Sequence, residues 1–335
     1  MKLTSTLIGL LVLAGCLFGP SPLPEPEEGE ASVTQVTSGR SGEDKDPELA
    51  PDGKTLYYVS SSFGDRMDLY MKTLGTSTAT RLTNLPGDKR FPRVNRAAPR
   101  YLAFSTNARG SWEIAILDVQ GDPSHVQFVS EPDTQCLHPS WSPDGRMLVY
   151  CSSTGTSAHE WTLRIRDFVS GRSISLEDVD GLLPQWSPQG NRIVFQRMKH
   201  RDQWFSALWT LEFEGGTAKN LTVLFSNDDW AAINPCWSPD GRHVVFATVG
   251  KSKARSGILT EGDDIWMVDA DGSHPCQLTT RTSADWMPAW GVNGLIFFVS
   301  NRSGTNRIWS LKAPVSGTAL GEPRSTLETA EKPRR

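Results

Sequence analysis

Pro139-Ser140-Trp141-Ser142-Pro143-Asp144-Gly145 leads into an apolar run from Met147 to Tyr150. Serine at the first turn position, proline at i+1 and glycine at i+3 favour a type I turn, because the proline ring presets φ near about −65° and glycine relieves the exit. The flanks are strand formers, so the stretch predicts a β-hairpin. The hairpin recurs. Trp186-Ser187-Pro188-Gln189-Gly190 after Pro184 and Trp237-Ser238-Pro239-Asp240-Gly241 after Pro235 are close copies, and Leu49-Ala50-Pro51-Asp52-Gly53 after Pro47 is a softer one. Two copies are worn: Val94 to Tyr101 after Pro92 has one extra residue and no Asp-Gly, and Trp290-Gly291-Val292-Asn293-Gly294 after Pro288 is one residue short. The leading prolines, at 47, 92, 139, 184, 235 and 288, are 45, 47, 45, 51 and 53 residues apart. A period of that size in a strand-rich sequence is the signature of propeller blades.

Each repeat continues in the same order. A Ser/Thr/Gly-rich loop is followed by a third strand such as Asp68-Leu69-Tyr70-Met71 or Asp264-Ile265-Trp266-Met267, and then by a tail such as Arg81-Leu82-Thr83 or Gln277-Leu278-Thr279. The chain is therefore expected to be all-β: a six-bladed β-propeller of four-stranded antiparallel blades over residues 32–320, followed by a charged tail over 321–335. Thr34-Gln35-Val36-Thr37 has the form of a fourth-strand tail yet precedes the first hairpin. It is expected to close the last blade and leave no free edge, with Pro323 to Leu327 as the competing strand.

The start of the chain reads as a targeting segment. Lys2 supplies a positive n-region, Leu3 to Leu13 an apolar stretch, and Leu13-Ala14-Gly15-Cys16 a small-residue box. The apolar stretch is too short to span about 30 Å of hydrocarbon. The box resembles the bacterial lipoprotein signal, which implies a signal peptide over 1–15 and acylation, such as palmitate, at Cys16; a secretory leader with an incidental cysteine is the alternative. Residues 16–31, rich in proline and glutamate, lack the apolar side chains to repay ordering and are expected to be a tether. Leu17 after the cysteine, rather than Asp, points to the outer membrane and a domain facing the periplasm. With 34 basic and 38 acidic residues and a net charge of −4, nothing suggests a nucleic-acid partner. Cys136 and Cys151 stand symmetrically about one predicted turn, so a disulfide and a pair of small buried hydrophobes are both open readings.

Pro-x-Trp-Ser-Pro-Asp-Gly, an apolar strand, Asp-Ile-Trp and then Gln-Leu-Thr together resemble the TolB-type β-propeller repeat, a relative of WD-like repeats, over nearly all of residues 33 to 312. Ahead of the first repeat stand the leader box and tether rather than the α/β domain that precedes the propeller in TolB. The resemblance thus concerns the propeller half of that family.

The repeated tryptophans are expected to be blade-to-blade core. The informative aromatics are those the repeat does not require. In an up-and-down blade the Pro-Asp-Gly turns share one face, and the lead-in loops share the other with the loops between second and third strands. Trp230 beside Asp229 and Trp286 beside Asp285 fall in lead-in loops of adjacent blades, and the two longest second-to-third loops bring Trp204 and Arg255 to the same face. Aromatics flanked by arginine are the usual anchors of a binding surface. The competing reading packs these rings beneath their own loops. His138 and Asp46 occupy the slot just before a leading proline, with Phe91, Leu183, Asn234 and Met287 in the other blades. Some propeller lyases with a similar repeat hold a metal with channel histidines, and here only His138 fills such a slot. Asp44, Asp46, Asp229 and Asp285 could together face a cation at the mouth. There is no Gly-x-Ser-x-Gly and no His-Glu-x-x-His. The expectation is a non-enzymatic, lipid-anchored envelope protein, without metal or cofactor, that binds a protein, peptide or envelope polymer at the channel mouth. The alternative is a lyase or hydrolase with its site in the channel.

Overall fold

Every polar residue of the repeated turn has a partner within it. The Gly145 N–H donates to the Ser142 carbonyl at 2.9 Å, and Gly145 takes a φ of 70° that a side chain would resist. The Ser142 hydroxyl donates to Asp144 at 2.6 Å and accepts from the Met147 N–H at 2.9 Å, and Asp144 accepts from the Arg146 N–H at 3.1 Å. Ser238, Asp240, Gly241 and His243 repeat this pattern. In the softer copy Asp52 replaces the serine, accepting from the Thr55 N–H at 2.8 Å and the Thr55 hydroxyl at 2.6 Å.

The computed structural model describes residues 32–314 other than 40, 123, 131–133, 156–160, 199–205, 229, 251–262 and 280–282. Its strands form six four-stranded antiparallel sheets, one per repeat, and no helix interrupts the described residues. The expected six-bladed propeller is the fold. From blade 1 to blade 6 the inner strands are Asp44–Leu49, Lys89–Val94, Gln135–Trp141, Leu182–Trp186, Trp230–Trp237 and Asp285–Trp290.

The core lies between blades. Leu56 and Tyr58 pack against Phe297 and Ile308 of blade 6, while Tyr57 and Val59 on the same strand pack against Leu102 and Phe104 of blade 2. A strand covered on both faces reads as a continuous apolar run, which is why the second strands show no alternation. Each such side chain contributes about 1.5–3 kcal/mol on burial.

The ring is closed by the N-terminal strand. Thr34 pairs with Ser310 and Gln35 with Trp309. The Thr37 hydroxyl accepts from the Ile308 N–H at 3.0 Å, as Thr279 accepts from Ile265 in the blade before. Arg307, 2% exposed, locks the seam: its guanidinium donates to the carbonyls of Gly42 at 2.9 Å, Gly39 at 3.0 Å and Ser41 at 3.1 Å, and lies 3.5 Å from Asp44. The alternative strand, Pro323 to Leu327, and the 321–335 tail lie outside the described residues.

Cys136 and Cys151 do not face each other. The turn holds Ser142 to Met147, so the ladder pairs Trp141 with Leu148, and a bulge at His138-Pro139 shifts the register back by only one residue. Cys136 is opposite Ser152 and Cys151 opposite Leu137, which puts the two thiols on opposite sides of the blade. Cys136 packs with Ile114 of blade 2 and Cys151 with Trp186 of blade 4. Neither is in a disulfide, and burial pushes the Cys151 thiol well above its ordinary range.

Candidate functional site: the axial channel and its two mouths

The residue before each leading proline is left-handed. Asp46, Phe91, His138, Leu183, Asn234 and Met287 have φ of 52°, 55°, 60°, 51°, 54° and 51°. Every inner-strand ladder shifts register at this point. Proline has no N–H for the ladder, so the X-Pro pair leaves it as a bulge, at a cost of about 1–3 kcal/mol for each left-handed non-glycine residue. The bulges turn side chains toward the axis. Asp46, Phe91, Leu183, Asn234 and Met287 meet around a void of about 20 Å³, room for roughly one water. Preceding blades hold the bulges in place: the Phe91 N–H donates to Asp46 at 3.0 Å, that of His138 to the Ser105 hydroxyl at 3.2 Å, and that of Asn234 to the Gln196 amide oxygen at 3.3 Å.

The titratable members of this neck are already committed. Burial works against ionisation of Asp46, but Arg90, donating at 2.6 and 3.3 Å, outweighs it and holds the carboxyl below its ordinary value. His138 packs against Phe91 with ring centres 4.1 Å apart and planes tilted by 56°, and its Nδ1 lies 3.1 Å from the Cys151 sulfur. Burial, reinforced by Arg90, pushes this imidazole down to about 3, so it is neutral near pH 7.

On the lead-in side, Trp230 begins its inner strand and packs against Trp266 of the same blade, with ring centres 4.7 Å apart. Trp286 pairs with Val299 and lies beneath the Lys45 ammonium of blade 1, 5.5 Å from the ring centre. Both rings are half-buried. Asp285 is fully buried, with Arg302 at 2.6 Å and the Ser283 hydroxyl at 2.9 Å, and its burial raises the carboxyl above the ordinary range. The three described acids of the possible cation cluster are each held by an arginine: Asp44 pairs with Arg307, Asp46 with Arg90 and Asp285 with Arg302. Among the described residues no three His, Cys, Asp or Glu side chains converge to hold a metal. Cys16, Trp204, Asp229 and Arg255 lie outside the described residues.

Sequence reasoning missed a second ring. The residues just after the leading prolines, Glu48, Arg93, Ser140, Gln185 and Cys236, line a vestibule of about 200 Å³ on the turn side. Arg93 donates to the Pro92 carbonyl at 2.8 Å and lies 3.9 Å from Glu48. With its amide oriented to satisfy both contacts, Gln185 accepts from Arg93 at 3.0 and 3.1 Å. The signal was available at one position past each proline.

Residues 100–257 match the family described as the TolB beta propeller domain. Over those residues the chain is similar to the TolB-type β-propeller. The Tol-Pal system protein TolB of Francisella tularensis is 23% identical over 221 residues, covering 64% of this chain and 48% of that protein. The chain thus spans about half the length of the curated relatives it matches. The crystal structure of TolB from Acinetobacter baumannii aligns with a TM-score of 0.57 at 21% identity, over 75% of this chain and 57% of that one. Oligogalacturonate lyase from Vibrio parahaemolyticus aligns at 0.59 with 14% identity, over 86% and 95%. Identities this low show the fold alone, and the TolB-type ring is common to binding proteins and enzymes.

Proposed function

We propose that this TolB-type propeller is a non-enzymatic binding protein of the cell envelope. It is tethered through a lipid on Cys16 to the outer membrane and faces the periplasm. On the lead-in mouth it takes a protein, peptide or envelope polymer. The observation that carries the reading is the closed neck. A void of about 20 Å³, with Asp46 held by Arg90 and His138 kept neutral, leaves a ligand no passage along the axis and directs recognition to a mouth. Similarity to a Tol-Pal system protein supports an envelope setting and a protein partner. Trp230 and Trp286 are the proposed anchors, with Asp46, His138 and Asp285 beneath them as the rigid frame and Asp229, Trp204 and Arg255 contributed by neighbouring loops. A lyase or hydrolase working in the channel is the competing class; the lyase fold likeness is what favours it, and the committed Asp46 and His138 speak against it.

One fractionation experiment tests anchor and mouth together. In the native envelope the parent chain should sediment with membranes and retain its partners through mild detergent extraction. Cys16→Ser should move the folded protein to the soluble fraction. A folded Trp230→Ala, Trp286→Ala variant should stay on the membrane and lose its partners, since truncating an aromatic anchor typically costs about 2 kcal/mol or more of binding free energy. Membrane retention by Cys16→Ser, or undiminished capture by the double variant, would contradict the corresponding half of the proposal.

A further inference from the structure

The hairpin tryptophans of blades 4, 5 and 6 are covered in one way. Each lies against the first residue of the second strand of the blade before it. Met147 packs in the same cluster as Trp186, the Arg192 guanidinium lies 5.3 Å from the centre of Trp237, and His243 stacks on Trp290 at 5.9 Å. These three tryptophans are 7%, 5% and 8% exposed. Trp141 breaks the series: it is half-buried, and the residue in its covering position, Tyr101, is 38% exposed. The blade 2 hairpin is the one with the extra residue. It closes by two successive turns, Ala98 N–H to the Asn95 carbonyl at 3.1 Å and Tyr101 N–H to the Ala98 carbonyl at 3.0 Å. Arg100, bonded to Asp118, holds its guanidinium 5.4 Å from the centre of the Tyr101 ring. Where the other blades make a lid, blades 2 and 3 leave a cleft of about 580 Å³, within the ~300–1,000 Å³ of small-ligand sites.

The lining specifies a ligand chemistry. Tyr101, Trp141 and Phe168 present three aromatic walls, with Phe168 5.4 Å from Trp141. The polar edge is Asp118, His125 and Gln127, and the exposed Gln127 side chain has no hydrogen-bond partner among the described residues. Asp118 is paired with Arg100, and His125 lies 3.0 Å from Asp122, so these polar groups already have partners and none stands as a lone cation for an anion. A fitting ligand is uncharged, has flat C–H faces for the rings, and carries an edge that both donates and accepts hydrogen bonds. Pyranose sugars have those properties. A proline-rich peptide also lies flat on aromatics, but it offers mainly carbonyl acceptors and needs ring N–H donors; the Trp141 indole N–H is already donated to the Arg93 carbonyl at 3.1 Å.

We infer that the cleft between blades 2 and 3 is a second binding site, separate from the channel mouth, for a short neutral oligosaccharide. The full chain would be titrated with maltotriose, cellotriose and tri-N-acetylchitotriose, following tryptophan fluorescence and saturation-transfer NMR. At least one trisaccharide should saturate below about 10 mM, and Tyr101→Ala and Gln127→Ala should each weaken it about fivefold or more. Both side chains are exposed enough for the fold to tolerate the changes, and Trp286→Ala should leave this binding untouched. The inference is overturned if none of the three saturates, if Tyr101→Ala and Gln127→Ala leave the affinity unchanged, or if a proline-rich peptide binds there in place of the sugars.

Discussion

Asp46 and His138 occupy the same slot of different blades, and their surroundings commit them to opposite charge states. Asp46 is buried yet ionised, because Arg90 and the Phe91 N–H outweigh the loss of water. His138 is buried and neutral, because Arg90 adds repulsion to the desolvation of an imidazolium. The signs give different pH windows. The folded-state pKa of Asp46 lies below its unfolded value, so its contribution is present at neutral pH and is lost as pH falls through the folded value. His138 titrates near 3 when folded and about 6.5 when unfolded. Between those values the unfolded chain binds the extra proton, and stability falls by about 1.4 kcal/mol per pH unit on acidification. His138→Gln should flatten that slope in denaturant melts taken between pH 3 and 6.5; an unchanged slope would mean that the imidazole is solvated in the folded state. The slot itself was legible in the sequence, since it precedes a periodic proline. The left-handed backbone and the Arg90 partner, 44 residues from Asp46, were not, because both arise only when neighbouring blades meet at the axis.

Among elements, the one that decides the architecture is the shortest. Thr34–Gln35 supplies the outer strand of blade 6, and the nearby carbonyls of Gly39, Ser41 and Gly42 bind the buried Arg307. A chain starting at residue 32 should melt as the full chain does. One starting at residue 43 exposes the Arg307–Lys312 edge, removes the Gly39, Ser41 and Gly42 carbonyls that the buried Arg307 guanidinium donates to, and should lose roughly 3 kcal/mol or more, since stranding a buried charge is costly. Coincident melting curves for the two would contradict closure by the N-terminal strand. The closure could be read in advance because Thr34 to Thr37 has the form of a tail placed before its hairpin. Register could not be read. The Ser142 to Met147 closure and the bulge at His138-Pro139 each displace the ladder, so Cys136 and Cys151 are symmetrical in sequence yet separated in space.

At the scale of the whole molecule, the sixfold frame gives the sequence its period, and departures from the frame mark the places open to function. The period fixed six blades, their strand order and the two faces without any knowledge of side-chain contacts. It could not show that the neck is closed or that post-proline residues form a turn-side vestibule. Nor could it show that one tryptophan is left uncovered, since each depends on side chains from different blades converging. Trp230 and Trp286 were found because the repeat does not require them, and the structure places them half-buried at inner-strand starts of adjacent blades, beside Trp266 and Lys45. The opposite face is dense with self-satisfied turns and, with its cleft between blades 2 and 3 assigned to a sugar, is expected to take no protein partner. The most direct measurement is site-specific photocrosslinking in the native envelope, with a photoreactive phenylalanine in turn at positions 230, 286, 146 and 242. Recognition at the lead-in mouth predicts discrete protein adducts from 230 and 286 and none from 146 and 242. Adducts confined to 146 and 242, or none from 230 and 286, would contradict it.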